Sequence, residues 1–113
     1  MDERRDAVFA AIAAPVRRDM LRLMSRREVP VTEIAAAFDL SLSAASQHLA
    51  VLREAHLVTV RRDGRQRLYQ TDPRPLRTVA EWVDHYVPFW TERLCRLGDH
   101  LEKKHDHSNP VQP

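Results

Sequence analysis

The sequence has few of the residues on which several protein classes depend. It contains only two glycines in 113 residues, so a glycine-rich phosphate loop cannot be built. Its single cysteine, Cys95, cannot form an internal disulfide framework and is typical of a reducing compartment. No pairing of a nucleophile with a general base is apparent, so we assign no catalytic residue. These absences argue against an enzyme and against a disulfide-stabilised secreted protein.

Long apolar segments are missing as well. No stretch approaches the roughly 20 residues that a membrane-spanning helix needs. The N-terminal residues MDERRDAVFAAIAAP are too acidic and too interrupted for a signal peptide. Hydrophobic residues make up 43% of the chain and charged residues 30%, which is an ordinary globular composition. We therefore expect a soluble, cytoplasmic protein that does not bind a membrane.

The net charge of +2 is distributed unevenly along the chain. Residues 1–40 and 71–113 are nearly balanced, whereas residues 41–70 carry five arginines against two acidic residues. Arginine is the cation best shaped for phosphate groups and base edges. The local excess favours contact with nucleic acid, with a solvated surface as the alternative.

Apolar spacing predicts four short helices in the first half of the chain. The first covers residues 6–14, and the second begins at Pro15, because proline suits the first turn of a helix. Thr32 is the predicted N-cap of the third helix and Ser41 that of the fourth. The predicted inward face of the fourth helix consists of Ala45, Leu49 and Leu52, with Leu57 just beyond its end.

The helical period then gives way to a β pattern. The segment VTVRRDGRQRLYQT has β-branched residues on both sides of Asp63-Gly64, which predicts a two-stranded hairpin with four arginines at its tip. After two prolines, an apolar seam at helical spacing runs from Val79 to Leu101. Pro88 interrupts this seam, which predicts a kink or a helix break.

Two short helices joined by a tight turn and followed by a basic hairpin make a winged helix-turn-helix, mainly α with a small β-hairpin. The fourth helix begins with the small, polar side chains of LSLSAASQHL. Such side chains let a recognition helix enter a major groove about 12 Å wide, where they can bond base edges or phosphates. We therefore expect this helix and the arginine-tipped wing to contact double-stranded DNA. The predicted DNA-binding residues are Ser41, Ser43, Ala44, Ser46, Gln47, His48, Arg62, Arg65 and Arg67.

Four segments resemble those of the ArsR family of bacterial winged-helix repressors, in the same order and at close to the family's spacing. They are AAPVRRDMLRLM, VTEIAAAF, LSAASQHLAVLREAHLV and RRDGRQRLYQTDP, which together cover roughly residues 9–75. The segment WVDHYVPFWTERLCRLGDHLE resembles the branch of the family whose members lack metal sites. The resemblance implies a homodimer that binds operator DNA and represses transcription. His56 departs from the family's usual glycine, at a helix end where a positive φ is common.

The resemblance also implies a dimer contact, because the first and last helices of this family pair across a two-fold axis. The seam carries Trp82, Phe89 and Trp90 besides its aliphatic residues, more large side chains than one small domain can cover with its own surface. Packing within one chain is the alternative. We expect residues 1–104 to form one domain that includes a long C-terminal dimerisation helix, and residues 105–113 to be a disordered tail. The predicted dimerisation residues are Phe9, Val79, Trp82, Val83, Phe89, Trp90, Leu94 and Leu97.

Metal sensing is a separate hypothesis, because many relatives sense thiophilic ions. Their sites need paired thiolates near the third helix, and VTEIAAAF contains no cysteine. Asp84 and His85 are adjacent, so they point about 100° apart on a helix and cannot share one ion. We interpret His100, His105 and His107 as solvated surface residues. No metal site and no cofactor are therefore expected.

Two alternatives to a simple repressor remain open at this point. The first is a derepressor of the same fold that releases DNA when a metal or a small-molecule effector, of unknown identity, binds near the last helix. The second is a winged helix used only for protein–protein contact. The polar recognition helix and the basic wing argue against this second interpretation, since protein-binding surfaces usually show aromatic or apolar anchors.

Overall fold

The structure, a computed structural model, describes the backbone of residues 3–101 and the side chains of residues 3–94. The described residues divide into two compact units, one that ends at Ala80 and one that begins at Glu81. The mainly helical architecture with one small sheet confirms the predicted winged helix-turn-helix. The elements in chain order are α1 (Glu3–Ile12), α2 (Pro15–Leu23), β1 (Val29–Pro30), α3 (Val31–Ala37), α4 (Leu42–Glu54), β2 (Val58–Asp63), β3 (Gln66–Thr71), a 3-10 turn (Arg74–Leu76), α5 (Arg77–Asp84) and α6 (Val87–Leu101).

Two arginines of α2 cap the C-terminal end of α1. The guanidinium of Arg17 donates to the carbonyl oxygens of Ala11 at 2.6 Å and Ala10 at 3.2 Å. Arg18 donates from Nη1 to the carbonyl oxygen of Ile12 at 2.8 Å. The last carbonyls of a helix have no partner within the helix, and cations interact favourably with that end. The turn between α1 and α2 is therefore held by side chains as well as by its backbone.

The two helices of the helix-turn-helix motif begin differently. Ser41 is the N-cap of α4 as predicted, since its Oγ accepts a hydrogen bond from the backbone N–H of Ala44 at 3.0 Å. The prediction that Thr32 caps α3 is wrong. That helix begins at Val31, directly after Pro30, whose side chain makes no capping hydrogen bond. Because β1 runs straight into α3, Thr32 already lies within the first helical turn.

Both helices of the motif end with a non-glycine residue in the left-handed backbone region. After α4, His56 has φ 62°, which confirms the positive φ that the resemblance to the ArsR family suggests at this position. The N–H of Leu57 donates to the carbonyl of Leu52 at 2.9 Å, and the N–H of His56 to that of Arg53 at 2.9 Å. This pair of bonds defines a Schellman motif, which closes the helix and turns the chain towards the wing.

The end of α3 repeats this arrangement at the tight turn of the motif. Asp39 has φ 54°. Its N–H donates to the carbonyl of Ala36 at 3.3 Å, and the N–H of Leu40 donates to that of Ala35 at 2.9 Å. A second Schellman motif therefore sets the direction in which the chain enters α4.

The sheet has three antiparallel strands in the order β1-β3-β2. The sequence did not predict β1, whose residues Val29 and Pro30 pair with Tyr69 and Leu68. Pro30 is tolerated there because β1 is an edge strand and needs no donor on its outer side.

The turn of the wing lies one residue later than predicted. Asp63 pairs with Gln66, so the two central residues are Gly64 and Arg65 and not Asp63 and Gly64. Gly64 has φ 64°. A glycine with positive φ at the first central position is what a type II′ hairpin turn requires, and it places Arg65 at the tip of the wing.

The core lies within residues 1–80 and fixes α4 by its inward face. Ala45, Leu49, Leu52 and Leu57 are each at most 1% exposed, which confirms the predicted inward face. The largest fully buried side chains are Met20, Met24, Ile34, Leu49, Leu52, Leu57 and Val29. Burial of such side chains contributes roughly 1.5–3 kcal/mol each, so the orientation of α4 is strongly held.

The predicted kink or break near Pro88 is confirmed as a break. α5 ends at Asp84 and α6 begins at Val87, so the predicted long C-terminal helix is divided in two. Pro88 lies in the first turn of α6, where its missing N–H costs nothing. Within residues 3–101, none of the helices has the length and apolarity that crossing a membrane requires.

Candidate nucleic-acid interface

The outward face of the recognition helix α4 carries polar, uncharged side chains without bulky groups. Ser43, Ser46 and Gln47 are all exposed, and they lie on one face because of their three- and four-residue spacing. The opposite face is the buried one formed with the core. These three predicted residues are therefore brought together on a rigid element, with hydroxyl and amide groups directed away from the protein.

The other two predicted residues of the first turn play different parts. Ser41 is exposed, and its Oγ is held by the N–H of Ala44. Since this bond uses the oxygen as an acceptor, the hydroxyl proton can still be donated to a phosphate oxygen. The positive end of the helix dipole favours an anion at the same place. Ala44 is half-buried and has no polar side-chain atom. Its small side chain can only allow the helix backbone to lie close to a bound molecule.

Sequence reasoning missed Leu42, the first residue of α4. Its spacing from Ala45 and Leu49 suggests burial, yet it is 53% exposed because the core does not extend beneath the first turn. An exposed apolar side chain at this end of a recognition helix can contact the methyl group of thymine.

His48, the sixth predicted residue of the recognition helix, is half-buried and has a partner in another helix. Its ring Nδ1 lies 3.1 Å from Nη1 of Arg17 in α2. The same guanidinium is bonded to the end of α1. The ring is therefore held in place by another helix of the same protein.

The wing presents three arginines that form no ion pair within the described residues. Arg62 and Arg67 are directly opposite each other in the strand register, and Arg65 occupies the turn. All three are exposed, and none of them forms an ion pair with another residue of the described chain. Together they form a concentration of positive charge at the tip of the hairpin, where the sequence predicted four arginines.

The fourth wing arginine, Arg61, is different. It donates from Nε and Nη2 to the two carboxylate oxygens of Glu28 at 2.8 Å and 2.7 Å. These bonds lower the pKa of the Glu28 carboxyl and raise the pKa of the Arg61 guanidinium. Successive residues of a strand point to opposite faces, so Arg61 lies on the face of the hairpin opposite to Arg62. Its charge is largely balanced within the protein.

The predicted dimerisation residues lie mostly at the surface. Trp82, Phe89, Trp90 and Leu94 are 44–60% exposed. Phe9, Val79 and Val83 are half-buried, and Leu97 lies outside the residues whose side chains are described. Within the second unit, the ring of Tyr86 meets that of Trp82 edge-on and stacks on that of Trp90. The aromatic residues thus form an exposed apolar face on α5 and α6.

A metal-binding cluster is not found among the described side chains, where no three His, Cys, Asp or Glu residues come together. Asp84 is the last residue of α5 and His85 lies in the turn after it. The side chains of Cys95, His100, His105 and His107, and the whole predicted tail 105–113, lie outside the described residues.

Comparison with known proteins places these features in a family. A helix-turn-helix domain model matches residues 12–61. The chain is 33% identical over 101 residues to the HTH-type transcriptional regulator Rv2034 of Mycobacterium tuberculosis, covering 89% of this chain and 92% of that protein. It is 29% identical over 80 residues to the transcriptional repressor SdpR of Bacillus subtilis, covering 71% and 89%. Its fold is similar to the crystal structure of the ArsR family transcriptional regulator RHA00566, with a TM-score of 0.70 and 28% identity over 79% of this chain and 92% of that one.

Proposed function

The chain belongs to the ArsR family of winged helix-turn-helix transcriptional regulators and is a DNA-binding repressor, and we propose that it acts as a cytoplasmic homodimer on an inverted-repeat operator. The observation that carries this proposal is the joint placement, within residues 1–80, of a polar face on α4 and a hairpin tip with three arginines that form no ion pair among the described residues. The two surfaces match the two parts of a DNA site, base edges and phosphates.

Base recognition is assigned to the exposed face of α4. Gln47 has both a donor and an acceptor in its amide, which suits the N6 and N7 atoms of adenine in the major groove. A bidentate contact of this kind contributes about 1–3 kcal/mol of discrimination between bases. Ser43 and Ser46 flank it and can bond either base edges or phosphates.

Backbone binding is assigned to the wing. Arg62, Arg65 and Arg67 are exposed and unpaired within the described chain, so their guanidinium groups are available to phosphates. Such contacts are Coulombic, release counterions and depend little on base sequence. Ser41 adds a hydroxyl at the positive end of α4.

Dimerisation is assigned to the exposed apolar face of α5 and α6. Four large side chains there, Trp82, Phe89, Trp90 and Leu94, are each 44% exposed or more. A soluble monomer rarely leaves so large an aromatic cluster in water, and aromatic residues are enriched in interfaces. A two-fold dimer would place two recognition helices in successive major grooves, ~34 Å apart.

The test separates the two halves of the proposed surface. DNA binding is measured by gel shift on the DNA upstream of the protein's own coding sequence and on random DNA, over a range of salt. The salt slope is the slope of the logarithm of the binding constant against the logarithm of the salt concentration. Gln47→Ala should weaken binding to the operator while leaving random-DNA binding and its salt slope nearly unchanged. Arg65→Ala should weaken both and make the slope shallower by about 0.9 for each phosphate that is no longer neutralised, so up to about 1.8 per dimer.

The matched control is Arg61→Ala, which removes the same charge from the same hairpin. Because Arg61 is already neutralised by Glu28, its replacement should change the salt slope less than that of Arg65. Equal losses on operator and random DNA for Gln47→Ala, together with an unchanged slope for Arg65→Ala, would contradict the proposed division.

A further inference from the structure

The guanidinium of Arg17 joins the end of α1 to the recognition helix. Its Nε donates to the carbonyl of Ala11 at 2.6 Å and its Nη2 to that of Ala10 at 3.2 Å. Its third nitrogen, Nη1, lies 3.1 Å from Nδ1 of His48. All three nitrogens are therefore engaged within the protein, and two of the bonds orient the group that makes the third.

This geometry decides which atom of the His48 ring carries a proton. An arginine guanidinium has only donors, so Nδ1 of His48 must accept the hydrogen bond. In a neutral imidazole that accepts at Nδ1, the proton resides on Nε2. A doubly protonated ring could not accept this bond at all. His48 consequently offers a donor, and no acceptor, to any group beyond the protein.

We propose that Arg17 is a positioning residue that fixes His48 as an Nε2–H donor for an acceptor atom on the DNA. This inference rests on the proposed function, in which α4 enters the major groove. His48 follows Gln47 directly and borders the exposed face of α4, and its ring is half-buried. The matching acceptors are a purine N7, guanine O6, thymine O4 or a phosphate oxygen, whereas the exocyclic amine of cytosine is excluded.

The competing explanation is that Arg17 contacts a phosphate directly. A lysine in its place would keep the charge and could still reach a phosphate as a point charge. A lysine lacks the planar fork of donors that holds two carbonyls and the imidazole at once. The variant Arg17→Lys therefore separates positioning from simple charge.

The first experiment determines the tautomer without DNA. Nitrogen NMR of the histidine rings at alkaline pH distinguishes a protonated from an unprotonated ring nitrogen, and His48→Gln identifies the signals of His48. We expect the native protein to show Nε2–H, and Arg17→Lys and Arg17→Gln to show a mixture of tautomers. Arg18→Gln is the matched control, since Arg18 caps the same helix through Ile12 and does not contact His48. An Nδ1–H ring in the native protein, or an unchanged ring in both Arg17 variants, overturns the proposal.

The second experiment is a double-mutant cycle on DNA affinity. Arg17→Lys should weaken operator binding about tenfold, the effect of removing one well-placed hydrogen bond in each protomer. In a His48→Phe background the same change should have almost no effect, because the residue through which Arg17 acts is gone. An equal loss of affinity for Arg17→Lys in the native and His48→Phe backgrounds overturns the proposal, because Arg17 would then act by a route that does not pass through His48. No loss for Arg17→Lys in the native background also overturns it and favours direct phosphate contact, which a lysine can keep.

The same measurements identify the acceptor. If His48→Phe lowers affinity for the operator alone, the acceptor is a base atom. If it lowers affinity for operator and random DNA equally, the acceptor is a phosphate. If it lowers neither affinity, the proposal is overturned. Gln47→Ala in the same assay tests the proposed function separately. If Gln47→Ala impairs operator binding and the His48 ring is found as Nδ1–H, the inference fails while the proposed function stands.

Discussion

Arg62 and Arg67 are directly opposite each other in the wing, as a pair of like charges on one face of a two-stranded hairpin. Opposed residues of antiparallel strands have Cβ atoms about 4.5–5.5 Å apart, and like charges in such pairs are destabilising. Neither arginine forms an ion pair with another described residue that would offset the repulsion. The free protein therefore carries a small electrostatic cost that a phosphate placed between the two side chains would relieve.

This arrangement predicts that stability and DNA affinity change in opposite directions. Arg67→Thr should raise the free energy of unfolding by about 0.2–1 kcal/mol, because it removes the repulsion and adds a β-branched residue to a strand. The same change should weaken DNA binding and make the salt slope shallower by about 0.9 for each phosphate left without its arginine. Urea denaturation and salt-dependent gel shifts measure the two effects.

Arg61→Thr is the control for this prediction. It introduces the same β-branched residue into the same hairpin, but it removes the bonds to Glu28 and not a repulsion. We expect no gain in stability from it. A gain equal to that of Arg67→Thr would show that strand propensity alone explains the effect.

A second prediction concerns the carboxylate that follows β3. Asp72 Oδ2 accepts from Arg74 Nη2 at 2.7 Å, and Asp72 Oδ1 accepts from the side-chain Nε and the backbone N–H of Arg74 at 3.0 Å and 3.1 Å. These bonds lower the pKa of the Asp72 carboxyl from 3.8 to about 2. Because the folded state holds the proton more weakly than the unfolded state, the stabilisation is complete above the unfolded pKa. It is lost as the pH falls through the folded pKa.

Asp72→Asn should therefore destabilise the protein by about 1 kcal/mol at neutral pH, and the difference should disappear as the pH falls from about 4 to 2. Denaturation at fixed protein concentration over that range measures it, since dimerisation would otherwise shift the midpoint. Asp19→Asn is the control, because its exposed i,i+3 pair with Arg22 contributes little. A destabilisation by Asp72→Asn that persists unchanged at the lowest pH would exclude the charged bonds as its cause.

A third prediction concerns assembly. Trp90→Ala and Leu94→Ala remove exposed side chains of the apolar face on α6, so the monomer fold should survive. If this face is the dimer contact, truncating a central tryptophan should raise the dimer dissociation constant about thirtyfold, equivalent to roughly 2 kcal/mol. Sedimentation at micromolar concentration measures the change. Val51→Ala, at an exposed apolar residue of α4, should leave the assembly unchanged. A native protein that sediments as a monomer and binds operator fully would rule out the proposed dimer.

The parts of the fold that were predictable are those specified by local chemistry. Pro15 begins α2, Ser41 caps α4, and the inward face of α4 is buried as its spacing indicates. Each of these depends on residues within a few positions of one another. By contrast, β1 exists only because Val29 pairs with Tyr69, far along the chain, and this pairing also moves the start of α3 ahead of Thr32.

The candidate site divides in the same way. The polar outward face of α4, with its hydroxyl and amide groups, and the basic hairpin were predictable from residues 41–70 alone. Two contacts make His48 and Arg61 differ from the exposed residues beside them, and neither contact was predictable. The Arg17–His48 and Glu28–Arg61 pairs join residues that are 31 and 33 positions apart in the chain. No periodicity or charge count indicates which of several arginines will find an internal partner.

The final prediction follows from the scarcity of glycine. His56 occupies the left-handed position of a Schellman motif with φ 62°, a conformation that costs a residue with a Cβ roughly 1–2 kcal/mol and costs glycine nothing. Glycine loses about 0.5–1 kcal/mol more conformational entropy on folding, so His56→Gly should raise the free energy of unfolding by about 0.5–1 kcal/mol. Asp39→Gly should gain less, because aspartate visits this region more readily. His56→Ala is the control, since it removes the ring and keeps the Cβ. Urea denaturation should show a gain for His56→Gly and none for His56→Ala, and equal effects of the two would mean that the imidazole, and not the backbone, is the source of any strain.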